Sequence, residues 1–153
     1  MDHRAKTHHT TSKRTICAAV IAVALLPAVA SAACFKEAGS RFNISPVLIR
    51  AISQTESGGN PNARNRNQDG SVDVCHMQIN SRWFPTLARH GIAPSDLDDP
   101  CTCTYVGAWI LAGNVNRLGY NWRAVGAYNA RSEHKRVLYA HKVAGTLARM
   151  GHQ

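Results

Sequence analysis

The sequence is short of acidic residues. Its 153 residues include nine Asp and Glu against 18 Lys and Arg, a formal net charge of +9. Such a charge suits nucleic acid, a membrane surface or another anionic polymer, although charge that serves only solubility is an equally simple interpretation. After residue 32 the basic residues are scattered from Lys36 to Arg149 and form no run interleaved with aromatic residues. Because helix-turn-helix, RNP-like and zinc-finger spacings are also absent, nucleic acid is excluded as the expected partner.

Long apolar runs are also missing, except for one N-terminal stretch from Ile16 to Ala30. It follows a positively charged segment and leads into Ala30-Ser31-Ala32, which fits the small-residue pattern of a signal-peptide cleavage site. We therefore expect residues 1–32 to be a signal peptide and residues 33–153 to form one domain without a membrane span, exported to the periplasm or secreted. A retained membrane anchor is the alternative, but the run is short for one.

Four cysteines remain after residue 32, and an even number in an exported domain predicts disulfide bonds. A bridge between Cys101 and Cys103 would strain one short stretch of chain. We favour Cys34–Cys101 with Cys75–Cys103, although the sequence alone leaves the pairing open. The competing hypothesis is a zinc site of Cys75, His76, Cys101 and Cys103, whose ligand types suit zinc but whose spacing matches no familiar zinc module. We expect no metal and no other cofactor.

Helical periodicity dominates the chain after the leader, so we expect a mainly α domain with irregular loops and at most a minimal β element. Helices are predicted over residues 34–42, 45–57, 81–90, 102–118 and 121–129, and from Ser132 onward. The Asn- and Gly-rich residues 58–71 are typical of an irregular loop, and residues 72–79 indicate a short strand or extended segment. In the last helix, the predicted inward stripe consists of Val137, Ala140, His141, Ala144 and Leu147.

One carboxylate occupies a position where an apolar residue is expected. Leu48, Ile52 and Glu56 are spaced by four and share a helix face, on which Leu48 and Ile52 point to the core. Loss of solvent disfavours the charged form of a carboxyl and raises its pKa. An acid that keeps its proton near neutral pH is what glycoside cleavage requires of a general acid. Spacing alone equally allows a Glu that turns into water at the helix end.

Three polar motifs stand out along the chain: Glu56-Ser57, Met77-Gln78-Ile79-Asn80 and Ala127-Tyr128-Asn129-Ala130. Taken singly, each is as readily a structural contact as a binding site. In this order they resemble the transglycosylase-type lysozyme-like domain, which has Glu-Ser at a helix end, then Gly-Leu-Met-Gln, then Ala-Tyr-Asn-x-Gly. With Ser57–Ala63 and Val106–Leu111 around them, the chain resembles the small periplasmic lytic transglycosylases that accompany secretion systems and pili.

The resemblance implies a lysozyme-like α-helical fold and cleavage of the β-1,4 bond between N-acetylmuramic acid and N-acetylglucosamine in peptidoglycan glycan strands. It implies that Glu56 alone protonates the leaving oxygen and then acts as base on the muramic 6-hydroxyl, which closes a 1,6-anhydro ring. It further implies a monomer that works beside secretion-system or pilus assembly proteins. The expected substrate-binding residues are Ser57, Met77, Gln78, Tyr128 and Asn129.

A hydrolytic muramidase is the alternative enzyme. Retaining and inverting hydrolases ordinarily place two carboxylates beside the bond, whereas this sequence offers one clear candidate. Asp69 and Asp73 follow Glu56 in or beside the loop and could supply a second. The dipeptide Asp69-Gly70 is more typical of a turn, and a catalytic role is not expected for either carboxylate.

Two departures from the family pattern leave a third hypothesis open. Cys75-His76 stands where the family has Gly-Leu, which predicts added bulk and a disulfide at the wall of the cleft. Arg131 replaces a Gly that normally permits a turn with positive φ, which predicts a rearranged helix end. A chain altered in this way could bind the cell wall for a secretion apparatus with weakened or lost catalysis.

Overall fold

The computed structural model describes Met1 and residues 33–151. The predicted signal peptide therefore lies outside the described residues, apart from Met1, and stays a prediction. Within residues 33–151 no helix is both long and apolar enough to cross a membrane. The chain forms α1 (Phe35–Phe42), α2 (Pro46–Ser57), β1 (Arg64–Arg66), β2 (Val72–Val74), β3 (Ile79–Asn80), α3 (Phe84–Ala88), α4 (Pro100–Leu118), α5 (Trp122–Asn129) and α6 (Glu133–Met150). This confirms the mainly α fold with a minimal β element.

Helix α2 begins and ends where its sequence predicts. Ser45 occupies the N-cap position and Pro46 the first turn, where a missing N–H costs nothing. Gly58 ends the helix with a left-handed φ of 66°, a conformation that glycine adopts without a steric penalty. Leu48 and Ile52 are buried as predicted, at 8% and 0% exposure.

Helix α4 is the central helix of the core. Its buried residues lie on nearly every face between Cys103 and Leu111, which explains why it lacks a single apolar stripe. Gly107 is required by close packing, since a Cβ there would lie 2.5 Å from Cε of Met77. Gly113 and Arg117 are exposed, because burial is concentrated in the N-terminal part of the helix.

Three other predicted elements differ from the structure. The loop over residues 58–71 contains β1, whose Arg-Asn-Arg sequence is exposed throughout and carries no apolar signal. The helix predicted over 81–90 is a 3-10 turn, Ser81–Trp83, followed by the short α3, and Asn80 caps it instead of Ser81. In α6 the buried residues are Tyr139, Ala140, Val143 and Thr146, because packing against α2 and α5 sets the rotation of that helix. Val137 of the predicted stripe is 48% exposed.

The two disulfide bonds are Cys34–Cys101 and Cys75–Cys103, the pairing favoured from the sequence. The first joins the start of α1 to the start of α4, and the second joins the turn after β2 to the first turn of α4. Because all four cysteines are in disulfides, the alternative zinc site has no thiolate ligand. No other group of metal-ligating side chains occurs among the described residues.

Candidate active site

Glu56 lies in the last turn of α2, and its carboxyl faces a cleft of about 990 Å³. Tyr139 of α6 donates its hydroxyl hydrogen to Oε1 of Glu56 at 2.5 Å. Burial raises the pKa of Glu56 from 4.5 to about 7; the Tyr139 hydrogen bond opposes this rise, and the nearby charge of Asp73 adds to it. The carboxyl therefore exchanges its proton near neutral pH, where it can serve first as an acid and then as a base.

Two stacked tyrosines form the helical wall behind this carboxyl. The rings of Tyr128 and Tyr139 are 6.5 Å apart and 17° from parallel. The Tyr128 hydroxyl donates to the carbonyl of Met77 at 2.9 Å. Burial and the neighbouring Glu56 raise the pKa of both hydroxyls, so both remain protonated donors at physiological pH. Tyr128 thereby links α5 to the turn that follows β2.

That turn, residues 75–78, presents Gln78 to the cleft. Cys75 and Gln78 have left-handed φ values of 59° and 49°, which are costly for residues other than glycine. The carbonyl of Cys75 accepts from both the backbone N–H and Nε2 of Gln78, each at 3.0 Å. Met77 is fully buried under Gly107, and the Ser57 hydroxyl donates to the carbonyl of His76 at 2.9 Å. Ser57 and Met77 thus support the turn from behind and do not line the cleft.

His76 is buried away from the Glu56 cleft and has a packing role, although the bulk of Cys75-His76 was predicted at the cleft wall. Its Nε2 lies 3.0 Å from the carbonyl of Pro100, and its Nδ1 lies 2.9 Å from the hydroxyl of Ser53. Burial lowers the pKa of His76, so the ring is neutral. With Nε2–H donating to Pro100, Nδ1 accepts from Ser53. The ring therefore connects α2 to the start of α4, in parallel with the Cys75–Cys103 disulfide.

A second carboxylate, Asp73 on β2, lines the same cleft. Its oxygens accept from the side-chain amides of Asn80 at 2.7 Å, Asn67 at 2.9 Å and Asn65 at 3.5 Å. These amides hold the carboxylate on the sheet side of the cleft, opposite the helical wall. Asp69 lies in a turn, as predicted, where hydrogen bonds from Ser71 lower its pKa.

The cleft brings together four of the predicted site residues: Glu56, Gln78, Tyr128 and Asn129. Sequence patterns missed Tyr139, although Tyr139, Val143 and Thr146 form an i, i+4, i+7 series that could have indicated the buried face of α6. Arg131 also lines the cleft. Neither Ala130 nor Arg131 has a positive φ, so α5 ends in extended backbone and needs no glycine there.

Comparisons with known proteins bear on the same region. The family model for the transglycosylase SLT domain matches residues 33–142. Invasion protein IagB of Salmonella typhimurium (strain SL1344) is 45% identical over 104 residues, 67% of this chain and 65% of the relative. A peptidoglycan-binding-like protein of Escherichia coli O157:H7 is 38% identical over 126 residues, 74% of this chain and 75% of the relative. An X polypeptide of Escherichia coli is 42% identical over 120 residues, 74% of this chain and 71% of the relative. The chain thus covers slightly less than two thirds of the Salmonella protein's length.

Proposed function

Because this chain belongs to the transglycosylase SLT domain family of lysozyme-like lytic transglycosylases, we propose that it cleaves the β-1,4 bond between N-acetylmuramic acid and N-acetylglucosamine. The observation that carries the proposal is the carboxyl of Glu56, which faces the cleft with a pKa of about 7. Glu56 is the catalytic acid and base.

The reaction proceeds in two proton transfers at one carboxyl. Protonated Glu56 gives its proton to the glycosidic oxygen, and the bond from that oxygen to C1 of the muramic acid breaks. Glu56, now ionised, takes the proton of the muramic 6-hydroxyl as O6 bonds to C1. The products are a free 4-hydroxyl on the departing sugar and a 1,6-anhydro ring, and no water is consumed. A pKa near the working pH suits a group that must perform both transfers.

Amide groups around Glu56 match the N-acetyl groups of the substrate. Gln78 commits its Nε2 to the carbonyl of Cys75, which leaves Oε1 free to accept from an acetamido N–H. Asn129 is exposed in the same cleft and offers both a donor and an acceptor. Trp83 adds an aromatic side chain, 36% exposed, at the same cleft. Ser57 and Met77 contribute indirectly, by holding the turn that presents Gln78.

Asp73 favours one alternative, a hydrolytic muramidase. It lines the cleft of Glu56 and its charge helps to raise the Glu56 pKa, so it could stabilise a cationic transition state while water attacks. The transglycosylase remains the better-supported function because both oxygens of Asp73 already accept amide hydrogen bonds.

Product analysis separates these functions. Purified peptidoglycan is digested with wild-type protein, Glu56→Gln and Asp73→Asn, and the fragments are identified by mass spectrometry. We expect 1,6-anhydromuropeptides from wild type, a loss of about 10²–10⁴-fold for Glu56→Gln, and the same anhydro products, formed more slowly, from Asp73→Asn. Reducing-end products alone would establish the hydrolase. Wall binding without any release would establish a non-catalytic binding protein.

We further propose that the enzyme acts outside the cytoplasm and opens the wall locally for a secretion or pilus system. Two disulfides support an oxidising compartment. Similarity to a protein named for invasion supports a role beside a secretion or pilus system. Assembly of the trans-envelope machine in a deletion strain should be restored by the wild-type gene and not by Glu56→Gln. If the wild-type gene and Glu56→Gln restore assembly equally, assembly of the machine does not require wall cleavage by this protein.

A further inference from the structure

A second cavity, of about 760 Å³, lies against a different part of α2 and shares no lining residue with the Glu56 cleft. It is bounded by Arg50 and Gln54 of α2, Thr146 and Arg149 of α6, and Phe35 at the start of α1. Its volume falls in the range of small-ligand sites, about 300–1,000 Å³. Nothing in the proposed reaction uses it.

The lining of this cavity is cationic. Among the residues that the structure describes, it includes Arg50, Arg149 and the neutral His76, and no Asp or Glu. Arg50 lies over the ring of Phe35, and Arg149 donates to the hydroxyl of Thr146 at 3.0 Å. Within residues 33–151 neither arginine forms an ion pair, whereas Arg64, Arg82, Arg123 and Arg136 all do. Two guanidinium groups therefore border one cavity without a carboxylate to neutralise them.

The inner wall of the cavity is polar and fixed. Ser53 and His76 line it and are 1% and 2% exposed. The Ser53 hydroxyl and Nδ1 of His76 are hydrogen-bonded to each other. Gly59 has a φ of 77°, and a Cβ there would lie 2.7 Å from Nε2 of Gln54. Glycine thus leaves room for the Gln54 amide beside the cavity. These groups suit a polar ligand better than an apolar one.

We propose that this cavity binds the carboxylate-bearing peptide stems of peptidoglycan, with Arg50 and Arg149 as the carboxylate receptors. The identity of the ligand rests on the proposed function. The glycan repeat itself is made of N-acetyl sugars, and its anionic groups are on the peptide stems. A guanidinium donates two parallel hydrogen bonds to a carboxylate, a geometry that lysine cannot match. The cavity would hold a stem while the Glu56 cleft acts on a glycan strand.

Ligand binding in this cavity would also stabilise the packing of α2 against α6. Arg50 belongs to α2, which carries Glu56, and Arg149 belongs to α6, which carries Tyr139. The two helices already meet through a hydrogen bond from the Thr55 hydroxyl to that of Thr146, at 3.0 Å. A stem that bridges both arginines binds only the folded protein and should raise its melting temperature.

The test uses a synthetic stem tetrapeptide with free carboxylates, and the same peptide with its carboxylates amidated. Binding is followed by calorimetry and by amide chemical shifts of the purified protein. We expect the free peptide to shift Ser53, Gly59 and Thr146 and to leave Asn129 unmoved. The double variant Arg50→Gln/Arg149→Gln should weaken binding about tenfold or more, since bonds to charged groups are lost. The matched control Arg89→Gln/Arg117→Gln removes the same charge from exposed arginines and should change binding less than twofold.

Equal binding of the amidated peptide, equal losses in both double variants, or shifts confined to the Glu56 cleft would each overturn the inference. Its failure is distinguishable from failure of the proposed function. Glycan cleavage without peptide binding refutes only the stem site. Peptide binding in a protein that releases no 1,6-anhydro product refutes only the transglycosylase.

Discussion

Single residues decide the proton chemistry of the cleft. At Glu56, burial and the charge of Asp73 raise the pKa, while the Tyr139 hydrogen bond and the charge of Lys142 lower it. The balance near 7 comes from the burial of Glu56 at the end of α2, from Asp73 on β2, and from Tyr139 and Lys142 on α6. Changing one contact should therefore move the pKa without removing the acid.

Replacement of Tyr139 by Phe tests this balance. The variant loses the hydroxyl that stabilises ionised Glu56, so the pKa of Glu56 should rise. Because the general acid must start protonated, the alkaline limb of the rate profile should move to higher pH, and the maximal rate should fall about tenfold as Glu56 loses its fixed orientation. Wall-clearing rates between pH 5 and 9 measure this. A uniform loss at every pH would show that Tyr139 only supports the fold.

Glu56 should also make stability depend on pH. Its folded-state pKa of about 7 lies above 4.5, so the folded protein binds the proton more tightly than the unfolded chain. Stability from this group should fall as pH rises from about 4.5 to about 7 and stay low above that. Glu56→Gln should therefore be more stable than wild type at pH 8, by up to about 3 kcal/mol, and similar to wild type near pH 4. Urea unfolding at both pH values measures the difference.

The control for that comparison is Glu37→Gln, which alters an exposed acid on α1. Its stability relative to wild type at the two pH values measures the effect of removing a surface charge. If Glu56→Gln and Glu37→Gln respond alike, Glu56 is not a buried acid with a raised pKa.

At the scale of elements, the turn between β2 and β3 is the part that must be held in place. It contains two left-handed residues and presents Gln78, while the Cys75–Cys103 disulfide, Tyr128 and Ser57 secure it from three sides. The Cys34–Cys101 disulfide joins the start of α1 to the start of α4 and includes no residue of this turn. The two bridges should therefore contribute differently to activity.

Two double variants compare them. Cys75→Ala/Cys103→Ala opens a link between residues 28 apart, and Cys34→Ala/Cys101→Ala opens one between residues 67 apart. Each should lower the free energy of unfolding by about 3–4 kcal/mol in the chain-entropy model. Only the first should also lower kcat per folded molecule, because the turn that presents Gln78 is freed. Equal kcat in both would show that the turn keeps its shape without the disulfide.

At the scale of the whole molecule, the Glu56 cleft and the second cavity differ in charge. The Glu56 cleft lies between the sheet and helices α2, α5 and α6 and mixes carboxylates with amides. Within residues 33–151, the groups that border the second cavity are cationic or neutral. With 14 Lys and Arg against eight Asp and Glu in residues 33–153, a formal net charge of +6, long-range attraction to an anionic wall polymer is expected.

Salt should therefore weaken binding to intact wall more than binding to an uncharged glycan. Raising the ionic strength from about 0.1 M to about 1 M shortens the Debye length from about 10 Å to about 3 Å. We expect Glu56→Gln, which does not digest its ligand, to co-sediment with intact peptidoglycan several-fold less at the higher salt. Binding to chitin, an uncharged polymer of N-acetylglucosamine, should change little. Salt-independent binding to both polymers would argue against an electrostatic contribution.

The sequence by itself determined the fold class, the bounds of α2 and the order of the Glu56, Gln78 and Asn129 motifs. These depend on local rules: the N-cap and Pro at the start of α2, the Gly that ends it, and the spacing of four between Leu48, Ile52 and Glu56. Only the tertiary structure decided that Tyr139 meets Glu56 across 83 residues, that His76 points away from the cleft and that Asp73 is held by asparagines. Those outcomes follow from how α6 rotates against α2 and how the turn after β2 packs on α4. Such packing is set by contacts between distant segments, which no local pattern records.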